Sequence, residues 1–170
     1  VYTGYITPRP GPRDRAEGRR QLGLDDVDRL VVVSAGGGKV GGPLLRAAAD
    51  ASERMASNPR LRMHLITGPY GEPALFKALA VQAGARFTVQ RFSDRFLRLL
   101  AAADLSISMG GYNTTMNLLA TERPAMVLQF AQNREQHLRE GRLAGCQALT
   151  LLTTEDLVPG RVAEKMLTLI

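Results

Sequence analysis

The chain contains 170 residues, of which 45% are hydrophobic and 22% are charged, so it can bury a full core and is not a disordered chain. One cysteine and two histidines exclude a disulfide framework and leave little material for a metal site built from these residues. The net charge of +6 favours an anionic ligand, and no apolar run approaches the roughly 18 residues of a membrane span.

Residues 1–12 contain several prolines and glycines, which predict a linker or lead-in segment rather than a helix. From residue 13 onward, apolar and β-branched runs alternate with segments of helical periodicity. The predicted strands cover residues 29–34, 61–67, 85–90, 104–108, 124–129 and 147–151. The predicted helices cover residues 13–22, 43–57, 73–83, 93–103, 113–121, 133–144 and 154–169, with Ser93 as a candidate N-cap and Pro159 as a candidate break.

This alternation predicts an α/β fold, with a Rossmann-like, doubly wound parallel sheet of about six strands in one domain that spans residues 13–170. Parallel sheets of this kind bind ligands at the carboxyl ends of their strands. The loops that follow the predicted strands are therefore the candidate functional segments.

The first of these loops contains Gly36, Gly37, Gly38 and Lys39, between a buried strand and a helix. Glycines let the backbone approach an anion, and the next helix offers free N–H groups, so the loop predicts a phosphate or diphosphate site. A glycine turn that serves only packing is the alternative. The loop also fits a dinucleotide pattern, but the next strand ends without the required carboxylate, and the Lys-Ser/Thr pair of a P-loop is missing.

A second glycine pair, Gly110 and Gly111, follows the fourth predicted strand and precedes Asn113 and Thr114 at the start of a helix. This predicts a second anion site on the same edge, with Asn117 one helical turn further on, near enough for its amide to meet a sugar hydroxyl. The alternative is that the Asn and Thr side chains only cap the helix.

The loop after the fifth strand carries Glu135 and Gln136 at the start of a helix. An adjacent carboxylate and amide suit hydrogen bonding to neighbouring sugar hydroxyls. A capping box between Asn133 and Gln136 is the alternative.

In this order, the glycine loop, the Gly110–Thr114 helix tip and the Asn-x-Glu-Gln segment resemble the carboxy-terminal half of GT-B glycosyltransferases of family 28. That family includes the N-acetylglucosaminyltransferase that acts on the lipid-linked peptidoglycan precursor. The resemblance covers about residues 30–150, and residues 2–5 resemble the junction before this half.

The resemblance implies a role for each matching position. It implies diphosphate contacts at Gly36, Gly37, Gly38, Lys39, Gly110, Gly111, Asn113 and Thr114, base contacts at Phe92 and Ser93, ribose contacts at Asn117, and hexose contacts at Glu135 and Gln136. Asn117 departs from the pattern, because the family normally has Glu there, and an amide lacks the charge that strengthens bonds to a diol.

The resemblance implies the donor-binding domain, one half of a GT-B fold, of an inverting glycosyltransferase that transfers a sugar, with N-acetylglucosamine as one candidate, from a UDP-sugar to an acceptor hydroxyl. No metal or cofactor is expected, because helix N-termini and backbone amides can stabilise the leaving diphosphate. The general base is expected outside this chain, in an amino-terminal acceptor-binding domain or a separate subunit. The expected location is cytoplasmic, with membrane attachment through that other half left open.

Two alternatives share the same site: a GT-B-like sugar-nucleotide epimerase or hydrolase, and a non-catalytic binding module. Nucleic-acid binding is not expected, because the arginines are scattered and no aromatic platform accompanies them. Of the remaining polar groups, His137 is expected on a helix surface, and Asp26 and Asp28 are expected to be loop charges. Cys146 is expected to be a small core residue.

Overall fold

The computed structural model describes residues 6–84, 87–130 and 133–170. Within these ranges, the strands are β1 (Arg29–Ser34), β2 (Leu61–Ile66), β3 (Phe87–Gln90), β4 (Leu105–Met109), β5 (Ala125–Leu128) and β6 (Thr150–Leu152). The helices are α1 (Asp14–Gln21), α2 (Gly42–Arg54), α3 (Pro73–Gln82), α4 (Phe96–Ala102), α5 (Tyr112–Thr121), α6 (Arg134–Gly145) and α7 (Pro159–Leu169), with a 3₁₀ turn at Thr154–Asp156. None of the described helices has the length and apolar character needed to cross a bilayer.

The strands form one parallel sheet in the order β3-β2-β1-β4-β5-β6. The chain moves outward from β1 to β3 and then returns to β4 on the other side of β1, so the β1–β4 pair is the topological switch point. Ser34 at the end of β1 pairs with Ser108 of β4 and with Ile66 of β2, which brings the ends of these strands to one level. The predicted Rossmann-like parallel sheet is confirmed.

Helices cover both faces of the sheet and bury two apolar layers. Val31 of β1 packs into one layer with Leu44 of α2 and Met166 of α7. Val32, which points to the other face, packs with Leu100 of α4. Because β1 is buried on both faces, its sequence is a continuous apolar run rather than an alternating one.

Two predicted element starts are wrong, at α4 and at β6. Ser93 does not cap α4, which begins at Phe96; its Oγ accepts from the N–H of Arg95 at 3.1 Å, within the turn before the helix. Gln147 has a left-handed φ of 57°, which an extended strand does not accommodate, so β6 begins only at Thr150.

The predicted break near Pro159 is confirmed, because the 3₁₀ turn ends before it and Pro159 opens α7. The prediction for Cys146 is wrong: it follows the last residue of α6 and is exposed. Residues 2–5, and residues 85–86 of the third predicted strand, lie outside the described part of the chain.

Asp104 joins α1 to the centre of the sheet. Its carboxylate accepts from the backbone N–H of Leu30 at 2.8 Å and pairs with Arg15 at 2.7 Å and with Arg19 at 3.3 Å. Burial raises the pKa of Asp104, but the Leu30 N–H and the two guanidinium groups outweigh burial and hold the pKa below its ordinary value. The charged form of Asp104 therefore stabilises the fold.

We expect Asp104→Asn to lower the free energy of unfolding by about 3 kcal/mol at pH 7, because it leaves the buried Arg19 without its carboxylate. Since the pKa is lowered on folding, this stabilisation is present above about pH 4 and is lost as the pH falls through the folded-state pKa. Urea unfolding at pH 7 and pH 3 should show the difference from the wild type shrinking at low pH. Asp26→Asn, at an exposed loop carboxylate, is the control.

The first glycine loop packs backbone against backbone on the turn after β2. Gly38 has a φ of +96°, and a Cβ there would lie 2.5 Å from the carbonyl oxygen of Thr67 and 2.6 Å from the nitrogen of Gly71. At Gly37, by contrast, a Cβ would lie 3.8 Å from the nearest heavy atom, a ring carbon of Tyr70. Packing therefore requires glycine at position 38 but leaves room for a side chain at position 37.

We predict that Gly38→Ala lowers the free energy of unfolding by about 2–4 kcal/mol, because the added methyl group clashes with backbone that cannot move aside. The matched substitution Gly37→Ala should change it by less than about 0.5 kcal/mol. Urea unfolding of both variants measures the difference, and equal stabilities would contradict the packing described here.

Candidate functional site

The loops that follow β1, β2, β3 and β4 enclose a cleft of about 480 Å³ at the carboxyl edge of the sheet, next to the switch point. Its lining residues are Ser34, Gly36, Gly37, Ile66, Gly68, Pro69, Arg91, Phe92, Ser93, Phe96, Gly111, Tyr112, Asn113, Thr114 and Asn117. A smaller pocket of about 240 Å³ lies beside it. Gly36, Gly37 and Gly111 line both, so these three glycines form the boundary between the cleft and the pocket.

The first glycine loop contributes to both cavities. Ser34 Oγ accepts from the N–H of Gly36 at 3.1 Å, which holds the loop onto the end of β1. Gly38 is buried and its N–H donates to the carbonyl of Ala35 at 3.1 Å, so this amide is used inside the loop. Lys39 is exposed and lines the smaller pocket.

The two glycines after β4 have different surroundings. Gly110 is buried behind the site, where its N–H donates to Leu128 and its carbonyl accepts from Arg139, each at 2.9 Å. Gly111 is the N-cap residue of α5 and lines both cavities. Asn113, in the first turn of α5, lies within the cleft.

Helix geometry leaves the backbone N–H groups of the first turn of α5 without partners inside the helix. Thr114 and Asn113 both belong to that turn, at the positive end of the helix dipole, and both line the cleft. The alternative that their side chains only cap α5 is wrong, because the helix begins at Tyr112 with Gly111 at its N-cap.

The remaining predicted nucleoside contacts also line the cleft. Phe92 and Ser93 follow β3, and the Phe92 side chain is 66% exposed. Asn117 is half-buried, and its Oδ1 accepts from the hydroxyl of Thr7 at 3.0 Å. The lead-in segment therefore reaches the predicted ribose position.

Glu135 and Gln136 are neighbours in sequence, but the structure places their side chains in different surroundings. Gln136 lines the smaller pocket, and its Oε1 accepts from the N–H of Phe130 at 3.1 Å. The Glu135 side chain is 76% exposed and pairs with Arg139 at 2.8 Å. The predicted capping box is half formed: Asn133 Oδ1 accepts from the N–H of Gln136, but the Gln136 side chain turns to Phe130.

Arg91, next to the predicted base contacts, lines the cleft and lies over the Phe76 ring, 4.8 Å from its centroid. The sequence analysis missed two buried charged residues at this edge. Arg139 and Glu140 are buried behind Gly110 and gave no signal in the sequence, since charged residues on a polar helix predict a solvent-facing surface.

The described residues of the site offer polar and positively charged groups suited to binding an anion. Among the described residues, the linings of both cavities contain no carboxylate and no imidazole, while Arg91 and Lys39 supply positive charge. His64 lies within the sheet, where burial lowers its pKa against the opposing effect of the Gln90 side chain, and His137 is exposed on α6. No described group of three His, Cys, Asp or Glu side chains is arranged to hold a metal ion.

Two curated relatives match most of the chain. It is 26% identical over 153 residues to an uncharacterized glycosyltransferase of Methanopyrus kandleri, covering 90% of this chain and 41% of that protein. It is 27% identical over 165 residues to the UDP-N-acetylglucosamine–N-acetylmuramyl-(pentapeptide) pyrophosphoryl-undecaprenol N-acetylglucosamine transferase of Clavibacter michiganensis, covering 95% and 42%. The chain thus spans about two fifths of the length of these relatives.

The fold is also found in solved structures. The crystal structure of MurG from Acinetobacter baumannii superimposes with a TM-score of 0.69 over 94% of this chain and 45% of that one, at 18% sequence identity. The model of the glycosyltransferase family 28 C-terminal domain matches residues 31–170. The chain therefore belongs to the glycosyltransferase family 28 C-terminal domains.

Proposed function

We propose that this chain is the nucleotide-sugar-binding domain of an inverting glycosyltransferase, which transfers a sugar from a UDP-sugar to an acceptor hydroxyl. The observation that carries the proposal is the glycine boundary, where Gly36, Gly37 and Gly111 line two adjoining cavities. A nucleotide sugar has two bulky ends joined by a diphosphate, and this arrangement offers one cavity for each end.

The diphosphate is assigned to the glycine boundary. Backbone without side chains at Gly37 and Gly111 permits close approach, and the first turn of α5 provides N–H groups and a positive dipole end. Lys39 in the smaller pocket and Arg91 in the cleft add positive charge. The described linings contain no carboxylate that would repel the ligand.

The nucleoside is assigned to the larger cleft. Its volume of about 480 Å³ is in the range of small-ligand sites. Phe92 offers an exposed ring and Ser93 a polar group for the base. Asn117 Oδ1 accepts from Thr7, so the NH₂ group of Asn117 is assigned to the ribose.

The hexose is assigned to the smaller pocket, beside Gln136 and Lys39. Glu135 can join it there only if its 2.8 Å ion pair with Arg139 opens. Gln136 is therefore expected to make the larger contribution to sugar binding.

The proposed mechanism assigns only part of the reaction to this chain. The amides of the first turn of α5 stabilise the charge that develops on the leaving diphosphate. The acceptor hydroxyl also has to lose a proton, and the described linings of the two cavities contain no carboxylate or imidazole to accept it. An acceptor-binding half would supply the base, so the chain by itself is expected to bind donor without transferring it.

Calorimetric titration of the chain tests the proposal directly. We expect saturable binding of UDP and of UDP-N-acetylglucosamine, with NAD binding more weakly, because the boundary is built for one diphosphate between a nucleoside and a sugar. Absence of binding for both uridine ligands would refute the proposal. Product formed from a UDP-sugar by the whole protein without any acceptor would instead favour an epimerase or hydrolase.

We predict that Gly111→Asp weakens UDP binding more than about tenfold, because a carboxylate beside the diphosphate repels it at close range. The side chain fits, since Gly111 has a φ of −69° and an added Cβ would lie 3.9 Å from its nearest neighbour, the hydroxyl of Thr114. Gly111→Asn is the neutral control of similar size and should weaken UDP much less. Uridine affinity should be the same in both variants.

We predict that Gln136→Ala weakens UDP-N-acetylglucosamine binding by about tenfold through the loss of hydrogen bonds to the sugar, while UDP affinity changes less than about twofold. Calorimetry with both ligands measures the split. Leu138→Ala, at an exposed position of α6, should affect neither ligand. Equal losses for both ligands would show that Gln136 only supports the backbone at Phe130.

A further inference from the structure

A buried ion pair lies behind Gly110, on α6, whose other described residues are exposed or half-buried. The Arg139 side chain is 7% exposed and the Glu140 side chain is fully buried. In addition, Arg139 Nε and Glu140 Oε2 have no hydrogen-bond partner among the described residues. Because an apolar pair of similar size would avoid these solvation costs, stability alone explains the pair poorly.

The guanidinium of Arg139 holds the peptide between Gly110 and Gly111 in place. Arg139 Nη2 donates to the carbonyl of Gly110 at 2.9 Å and to Glu140 Oε1 at 3.1 Å. The N–H of Gly111 donates to Met109 at 2.8 Å, so the peptide between Gly110 and Gly111 is fixed at both polar ends. A Gly110 carbonyl that lost its donor and rotated outward would place negative partial charge near an anion held at Gly111.

The carboxylate of Glu140 links the same turn to both neighbouring helices. Thr115 of α5 donates its hydroxyl to Glu140 Oε1 at 2.8 Å. A Cβ on Gly110 would lie 3.0 Å from that oxygen and 3.4 Å from Gln136 Oε1. Gly110 is therefore packed against the side chains of both Glu140 and Gln136. Arg139 also lies over the Tyr112 ring, 5.5 Å from its centroid.

We propose that Arg139, together with Glu140, is a positioning residue of the donor site. Arg139 acts through Gly110 and does not contact the ligand. It fixes the Gly110–Gly111 peptide in the orientation that keeps the Gly110 carbonyl oxygen away from the diphosphate. It also connects the start of α5 to the first turn of α6. This inference rests on the proposed function, because it assumes that an anion binds at Gly111.

Calorimetry with UDP and with uridine on the 170-residue chain separates positioning from stability. We expect Arg139→Gln to weaken UDP binding by about tenfold and uridine binding by less than about twofold. The reason is that only UDP places negative charge next to Gly110 and Gly111. The double variant R139M/E140L replaces the pair with apolar residues of similar size, so it should fold and still show the weaker UDP binding. Arg139→Lys keeps the charge and should recover part of the affinity.

The matched control is Arg19→Gln, because Arg19 also has a side chain 7% exposed and pairs with a carboxylate, but beyond the opposite end of the strands. It should lower the thermal midpoint and leave UDP affinity unchanged at temperatures where the chain is folded. A folded R139M/E140L variant that binds UDP as tightly as the wild type would overturn the inference. Equal losses of affinity for UDP and uridine would also overturn it, and so would unfolding of all three variants at position 139. If the wild type fails to bind UDP, the proposed function itself is refuted.

Discussion

The parallel pairing of β1 with β4 places the two glycine loops side by side. Ser34 and Ser108 are partners in the sheet, so the loops that follow them leave the same edge at the same level. Neither glycine loop alone would form two cavities with a common boundary. The pairing in turn depends on the burial of β1 between two helix layers, and Asp104 reinforces it by accepting from Leu30.

Much of this arrangement could be predicted from the sequence. The buried apolar run of β1, and the alternation of strands with helices, were enough to predict the parallel sheet. The rule that ligands bind at carboxyl strand ends pointed to the edge where the cleft lies. Of the predicted site residues, Gly36, Gly37, Gly111, Asn113 and Thr114 meet there, with Phe92, Ser93 and Asn117 in the same cleft.

The remainder depends on side-chain contacts and burial that the sequence motifs do not specify. Glu135 and Gln136 are adjacent, but a partner four residues later draws Glu135 away from the pocket. Gly110 looks equivalent to Gly111 in the sequence, yet it is buried against the Glu140 carboxylate. The bond from Thr7 to Asn117 joins positions 110 apart, and no local pattern could indicate it.

The absence of carboxylates and imidazoles from the described cavity linings has a consequence for the lifetime of a bound donor. Water that enters an open site is itself a nucleophile, and it attacks more slowly when no positioned base accepts its proton. In the proposed function, one half binds the leaving diphosphate and the other removes the proton. This separation limits hydrolysis of the nucleotide sugar by water. Under that proposal, the activated sugar stays intact until an acceptor arrives together with the group that deprotonates it.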